Sequence, residues 1–91
     1  MTLVLDSTTE FDRDYKKLQR PLQLLTKERL NIFIEDPFAR TLKTHKLSGN
    51  YQDVWAFSVD HRYRVLFWFS SKGVAELLRV DDHSVYRKMK A

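Results

Sequence analysis

Hydrophobic residues in the first part of the chain recur at the spacing of an amphipathic helix. Residues 2–5 come before this repeat and alternate as a short edge strand would, with Leu3 and Leu5 on one side. Residues 7–10, Ser-Thr-Thr-Glu, have the spacing of a capping box, in which the hydroxyl of Ser7 and the Glu carboxylate satisfy the first free N–H groups. A helix is therefore predicted to begin there. Its apolar face carries Phe11, Tyr15, Leu18 and Leu22.

Two prolines set the bounds of a second helix. Pro21 cannot lie inside the first helix without the loss of a hydrogen bond, but it suits the first turn of the next one. The second helix is predicted from Pro21 to about Glu35, because Pro37 forces Asp36 out of the helical region. These two helices, joined by a short connection, form a predicted helical hairpin with a broad apolar face.

Three runs rich in aromatic and β-branched residues follow, at residues 54–59, 62–69 and 74–80. Loops of hairpin length separate them, which predicts an antiparallel meander. The middle run has one apolar face for the helices and a second face, with Arg64 near one end, that is predicted to be free for a ligand or partner. The predicted fold is α+β, with an N-terminal strand, a helical hairpin, a three-stranded antiparallel sheet packed on the helices and a short C-terminal turn or helix. It is predicted to form a single domain, residues 1–91.

Composition narrows the possible functions. The chain has no cysteine, which excludes a thiolate nucleophile, a disulfide framework and a Cys-based zinc site. No apolar run approaches the roughly 20 residues of a membrane span, and no signal peptide is evident, so a cytoplasmic protein without a membrane partner is predicted. A net charge of +4 weakly favours a polyanionic partner. Residues 37–51 are the most cationic stretch and contain no Asp or Glu.

Four sequence blocks carry a family resemblance. They are Leu-Lys-Thr-His-Lys-Leu-Ser-Gly at 42–49, Trp-Ala-Phe-Ser-Val at 55–59, Tyr-Arg-Val-Leu-Phe at 63–67 and His-Ser-Val-Tyr-Arg at 83–87. In order and spacing, this half of the chain resembles the RelE/ParE toxin superfamily, most closely its YafQ/RelE-like mRNA interferase branch. The resemblance implies the toxin of a type II toxin–antitoxin system, an endoribonuclease that cuts mRNA, usually on the ribosome. It implies a cognate antitoxin, mRNA and the ribosome as partners.

The chemistry of RNA cleavage without a metal suggests roles for individual residues. It needs a group to deprotonate the 2′-hydroxyl, a group to protonate the leaving 5′-oxygen, and cations for the charge that builds on phosphorus. Histidine is suited to proton transfer near neutral pH, and arginine binds phosphate through two parallel hydrogen bonds. The predicted catalytic residues are Arg64 for transition-state charge, His83 and Tyr86 for proton transfer and positioning, and His45 for a second proton role or a substrate contact. These four match family positions. Contacts to the RNA backbone are predicted for the basic side chains Lys43, Lys46, Arg62, Arg87 and Lys88. No cofactor and no metal are predicted.

Each of these residues also has a structural interpretation. Arg64 could pair with Glu76 on the neighbouring strand. His83 could cap the last turn, and the ring of Tyr86 could pack on the core. His45 could be an ordinary exposed loop residue.

One departure from the family pattern keeps other functions open. The chain has Asp81 and Asp82 where the family commonly has a Gly-Thr pair. These carboxylates should either repel RNA or raise the pKa of His83 and keep it protonated as a general acid. A metal site built from these two carboxylates with Asp60, His61 and His83 lacks a recognised spacing, and His61 is more simply a turn residue. The alternatives are a ParE-like DNA gyrase inhibitor and an inactive homologue that only binds its antitoxin.

Overall fold

The computed structural model describes residues 2–49 and 53–82, which form a helical layer packed on one sheet. In this part of the chain, the elements are β1 (Val4–Ser7), α1 (Thr9–Lys17), α2 (Arg20–Glu35), a 3₁₀ turn (Arg40–Leu42), β2 (His45–Lys46), β3 (Trp55–Ser58), β4 (Arg64–Ser71) and β5 (Val74–Asp81). The strand order across the sheet is β1-β5-β4-β3-β2. Strand β1 runs parallel to β5, and the other neighbours are antiparallel. The predicted α+β class, helical hairpin and meander are confirmed. Strand β2, within the cationic stretch, was not predicted.

Both predicted bounds of the second helix follow from its prolines. Pro21 lies in the first turn of α2, which begins at Arg20. At the other end Asp36 is extended, with φ −150° and ψ 92°, because Pro37 follows it. Neither helix in the described ranges is long and apolar enough to cross a membrane.

The start of α1 differs from the predicted capping box by one residue. The N-cap is Thr8, whose hydroxyl accepts a hydrogen bond from the Phe11 N–H at 3.0 Å and donates one to the Leu78 carbonyl at 2.8 Å. Ser7 instead belongs to β1, where it lies opposite Leu77. Pairing with β5 extends β1 through Ser7, so the helix begins after Thr8.

An ion pair fastens α1 to the end of β5. Asp14 is 5% exposed, and its two carboxylate oxygens accept hydrogen bonds from Nε and Nη2 of Arg79 at 2.7 and 2.9 Å. The same carboxylate accepts the Val80 N–H at 3.1 Å. The hydrogen bond to Asp14 raises the pKa of Arg79 above its ordinary value, against the smaller effect of partial burial. Because β1 ends opposite Leu77, Asp14 satisfies a backbone donor of β5 beyond that point.

The main core lies between the helices and the sheet. Phe33 of α2 is fully buried, stacked on Phe57 with ring centroids 4.8 Å apart and edge-on to Phe67 at 4.7 Å. On the opposite face of the sheet, Ala56 and Leu66 are also fully buried, in a second cluster with partly buried neighbours Leu47, Val54 and Leu78. The prediction that this face is free is therefore wrong for its middle, because apolar side chains cover one another there. The end that carries Arg64 lies beyond this cluster.

Candidate functional site

Asp60 shapes the loop between β3 and β4. Its Oδ1 accepts the N–H groups of Arg62 at 2.8 Å and of Tyr63 at 2.7 Å. Burial by itself raises the pKa of the Asp60 carboxyl, but these two hydrogen bonds and the positive charges of His61 and Arg64 together outweigh burial and lower it. Asp60 is therefore a carboxylate at neutral pH, and it holds the loop in a tight turn.

Arg64 is held in place by this loop. It is the first residue of β4, and its Nη1 donates to the backbone carbonyls of Asp60 at 2.7 Å and Tyr63 at 3.1 Å. Its Nε and Nη2 form no hydrogen bond with any residue in 2–49 or 53–82. These two nitrogens lie on one edge of the planar guanidinium group, which is the edge that binds two oxygens of a phosphate.

The alternative structural role for Arg64 is excluded by the register of β4 and β5. Glu76 lies opposite Trp68, and its Oε1 accepts the indole N–H of that residue at 2.8 Å. Arg64 lies opposite Asp81, at the other end of the strand pair. A pair between Arg64 and Glu76 is therefore out of reach.

Arg64 borders a recess of about 280 Å³ that collects positive charge from three parts of the fold. We call it the cationic recess and define it by Arg29 of α2, Lys43 after the 3₁₀ turn, and His61 and Arg64 of the β3–β4 hairpin. Its remaining lining residues are Thr41, Ser58, Val59 and Asp60. Two guanidinium groups and one ammonium group meet a single carboxylate here, so the recess favours an anion.

Lys43, which lines the cationic recess, has an unusual backbone conformation. Its φ is 52° and its ψ is 40°, in the left-handed region that a non-glycine residue adopts at a cost of roughly 1 kcal/mol. The conformation ends the 3₁₀ turn, and the N–H of Lys43 donates to the Arg40 carbonyl at 3.2 Å. Such conformations concentrate at functional sites.

Two members of the cationic recess were not predicted as site residues. Arg29 is half-buried, and its Nε donates to the Val59 carbonyl at 3.2 Å. It lies in α2, before the four family blocks in the sequence, so no sequence motif identifies it as a site residue. His61 is exposed in the loop, where the turn residues around it favoured a purely structural interpretation.

The other predicted residues either do not line the cationic recess or lie outside the described residues. His45 and Lys46 are exposed in β2, where Nδ1 of His45 is 3.0 Å from the Lys43 carbonyl and the ammonium of Lys46 is 3.8 Å from the Asp53 carboxylate. Arg62 lines a separate recess of about 550 Å³ on the other side of the loop. The structure therefore brings together Arg64 and Lys43. Four predicted residues lie outside the described residues, namely His83, Tyr86, Arg87 and Lys88.

The described residues contain no candidate metal site. Within 2–49 and 53–82, no three His, Asp or Glu side chains are grouped closely enough to hold a metal ion. What this surface can do is bind and orient an anion through Arg64 and Lys43.

No protein-family model and no curated protein sequence matches this chain. Solved structures do resemble it. The structure of YafQ from E. coli superimposes with a TM-score of 0.76 and 14% identity, covering 92% of this chain and 97% of YafQ. The toxin–antitoxin complex RelBE2 from Mycobacterium tuberculosis gives 0.77 and 20%, covering 91% and 100%. The archaeal RelE–RelB complex from Pyrococcus horikoshii OT3 gives 0.73 and 19%, covering 90% and 96%. The chain therefore has the RelE-like toxin fold, as predicted.

Proposed function

We propose that this chain, which has the RelE-like fold, is the toxin of a type II toxin–antitoxin system and cleaves mRNA on the ribosome without a metal ion. The observation that carries the proposal is the hydrogen bonding of Arg64. Its Nη1 donates to two backbone carbonyls, which leaves Nε and Nη2 as donors for a ligand beside Lys43 in the cationic recess. A fold alone does not determine an activity. The match between a predicted catalytic residue and a preorganised phosphate-binding geometry is the additional support.

In the proposed reaction, Arg64 and Lys43 hold the scissile phosphate. The 2′-oxygen attacks phosphorus and the bond to the 5′-oxygen breaks, which leaves a 2′,3′-cyclic phosphate and a 5′-hydroxyl. The negative charge on the phosphoryl oxygens is greatest at the pentavalent stage. Because two backbone carbonyls already fix Arg64, its guanidinium group meets that charge without reorganisation.

Proton transfer is proposed for His83 and Tyr86, with one group taking the proton of the 2′-hydroxyl and another giving a proton to the 5′-oxygen. Strand β5 ends at Asp81, directly opposite Arg64, and only Asp82 separates it from His83 in the sequence. This register supports placing the proton-transfer groups on the side of the recess where Arg64 lies.

The remaining basic residues are proposed to contact the RNA backbone outside the recess. They are His45 and Lys46 on β2, Arg62 on the far side of the β3–β4 loop, and Arg87 and Lys88 in the sequence after β5. A cognate antitoxin is the proposed protein partner, since the similar RelBE2 structure is a toxin–antitoxin complex. An acidic antitoxin would complement the net charge of +4.

The proposal is tested by brief induction of the chain in bacteria, with mapping of new transcript 5′ ends. Wild type should cut within translated frames, and Arg64→Ala should lose at least about 100-fold of this activity, the cost of removing one transition-state donor. The matched control is Arg13→Ala, which removes the same charge from an exposed site on α1. Thermal unfolding of both purified variants checks that they fold.

The other outcomes separate the alternative functions. Growth arrest with DNA damage and no transcript cleavage would favour gyrase inhibition. Soluble protein that neither cuts transcripts nor arrests growth would favour an inactive homologue that binds an antitoxin. Cleavage by Arg64→Ala at the wild-type rate would show that the chain is a nuclease whose site lies elsewhere.

A further inference from the structure

Two arginines from opposite layers of the fold hold the same short segment of backbone. Nε of Arg29, on α2, donates to the Val59 carbonyl at 3.2 Å, and Nη1 of Arg64, on β4, donates to the Asp60 carbonyl at 2.7 Å. Val59 and Asp60 are consecutive, so their Cα atoms are about 3.8 Å apart. Both arginines therefore hold neighbouring peptide groups, and both line the cationic recess.

Each arginine keeps nitrogen donors that no described residue satisfies. Arg64 has Nε and Nη2, and Arg29 has Nη1 and Nη2, none of which forms a hydrogen bond within 2–49 or 53–82. The nearest carboxylate to Arg29 is that of Glu28, at 3.7 Å from Nη1. The side chain of Glu28 is 67% exposed, and an ion pair with an exposed carboxylate contributes little to stability.

The charges around these arginines are unbalanced. Arg29, Arg64 and Lys43 line the cationic recess with one carboxylate, that of Asp60, whose Oδ1 already accepts two backbone N–H groups. Like charges that converge on a partly buried recess repel one another unless an anion lies between them. The loop that both arginines hold keeps them in this arrangement.

We propose that Arg29 is a second phosphate-binding arginine, which contacts an RNA phosphate from the helical layer while Arg64 contacts it from the sheet. This inference rests on the proposed function and names a residue outside the predicted site. Its expected effect is on binding, because the proposed contact to phosphate is already made in the bound RNA before the chemical step. The loss of its side chain should therefore raise KM more than it lowers kcat.

The test uses a short single-stranded RNA in which 2′-O-methyl groups prevent cleavage, with affinity measured by fluorescence anisotropy over a salt series. Arg29→Ala should weaken binding by at least about 10-fold, the usual range for one charge-assisted hydrogen bond. It should also reduce the slope of log Kd against log salt by about 0.7, the value for one phosphate contact on a single strand. Arg29→Lys should keep the slope, because it keeps the charge, but should bind more weakly than wild type because it loses the planar fork.

The matched control is Arg20→Ala, an exposed arginine on the same helix. It lies nine residues earlier, about 13 Å along the helix axis. It should leave the salt slope unchanged. Thermal unfolding of each variant reports any loss of the hydrogen bond to Val59. If Arg29→Ala does not fold, Arg29→Gln replaces it, because its amide keeps a donor for that carbonyl.

Two results would overturn the inference in distinguishable ways. If wild type binds the RNA and Arg29→Ala binds with the same affinity and slope, Arg29 has no phosphate contact and the proposed function stands. If wild type neither binds this RNA nor cuts transcripts, the proposed function fails and the inference fails with it.

Discussion

The ion pair between Asp14 and Arg79 should be a major contributor to the stability of this small fold. Asp14→Ala removes two charge-assisted hydrogen bonds to Arg79 and the acceptor for the Val80 N–H. Breaking a fully buried pair costs about 3–5 kcal/mol, and an unsatisfied buried N–H costs about 1–3 kcal/mol. The Arg79 side chain is 19% exposed, so water can partly replace its partner. We therefore expect a loss near the lower limit, about 3 kcal/mol.

Urea unfolding followed by circular dichroism measures this loss in the free energy of unfolding. Thermal unfolding should show a matching fall in Tm of roughly 12–24 °C, because each kcal/mol shifts the Tm of a domain of this size by about 4–8 °C. The matched control is Asp12→Ala, an exposed carboxylate on the same helix that accepts a hydrogen bond from the Ser7 hydroxyl. Its removal should cost less than about 1 kcal/mol.

A double-mutant cycle shows whether the pair itself is responsible. The combination of Asp14→Ala with Arg79→Met should cost at least about 1 kcal/mol less than the sum of the single variants, because each single change breaks the ion pair and keeps one of its two charges. A loss below about 1 kcal/mol for Asp14→Ala, or additive effects of the two changes, would show that this ion pair does not stabilise the fold. A confirmed pair would also bear on activity, because Val80 immediately precedes the residue opposite Arg64.

Two further changes test the loop and the helix start. The folded pKa of Asp60 is lowered, so its carboxylate contributes stability that is fully present above the unfolded pKa of about 4 and is lost as pH falls through the folded value. Unfolding free energies measured in urea between about pH 6 and pH 2.5 should therefore fall more steeply for wild type than for Asp60→Asn, and parallel curves would contradict this. Thr8→Val should cost about 1–2 kcal/mol through loss of the N-cap and of the bond to the Leu78 carbonyl, whereas Ser7→Ala should cost less than about 1 kcal/mol. The reverse order in the same unfolding assay would show that the N-cap is misassigned.

Features that depend on neighbours in the sequence were predictable. Pro21 and Pro37 bounded α2 because a proline restricts its own φ and the residue before it. Alternation along residues 2–5 placed Leu3 and Leu5 on one side, where they pack against the core, and Val4 is 59% exposed on the other. Alternation and spacing also placed Arg64 near one end of the middle strand, although the strand begins two residues later than predicted and the hydrogen bonds of Arg64 were not predicted.

Features that depend on contacts between residues far apart in the sequence could not be predicted from local patterns. Ser7 and Thr8 are both good N-cap residues, and the choice between them was made by β5, which pairs with Ser7 and accepts the Thr8 hydroxyl. The outer face of the sheet is closed in its middle because Leu66 meets residues from several strands. Arg29 joins the recess only because the packing of α2 on the sheet brings it to the Val59 carbonyl. The spacing of apolar residues within α2 does not predict that contact.

The parallel pairing of β1 with β5 has a consequence for synthesis of the protein. Val4 and Val74 lie side by side in the sheet but are made at different times. At about 5–20 residues per second, β1 waits roughly 4–14 seconds for its partner. During that interval the helical hairpin and its arginines exist without the completed sheet, and the edge of β1 has no strand beside it. Every residue that lines the cationic recess has been made once Arg64 is added, whereas the sheet is complete only after β5 pairs with β1.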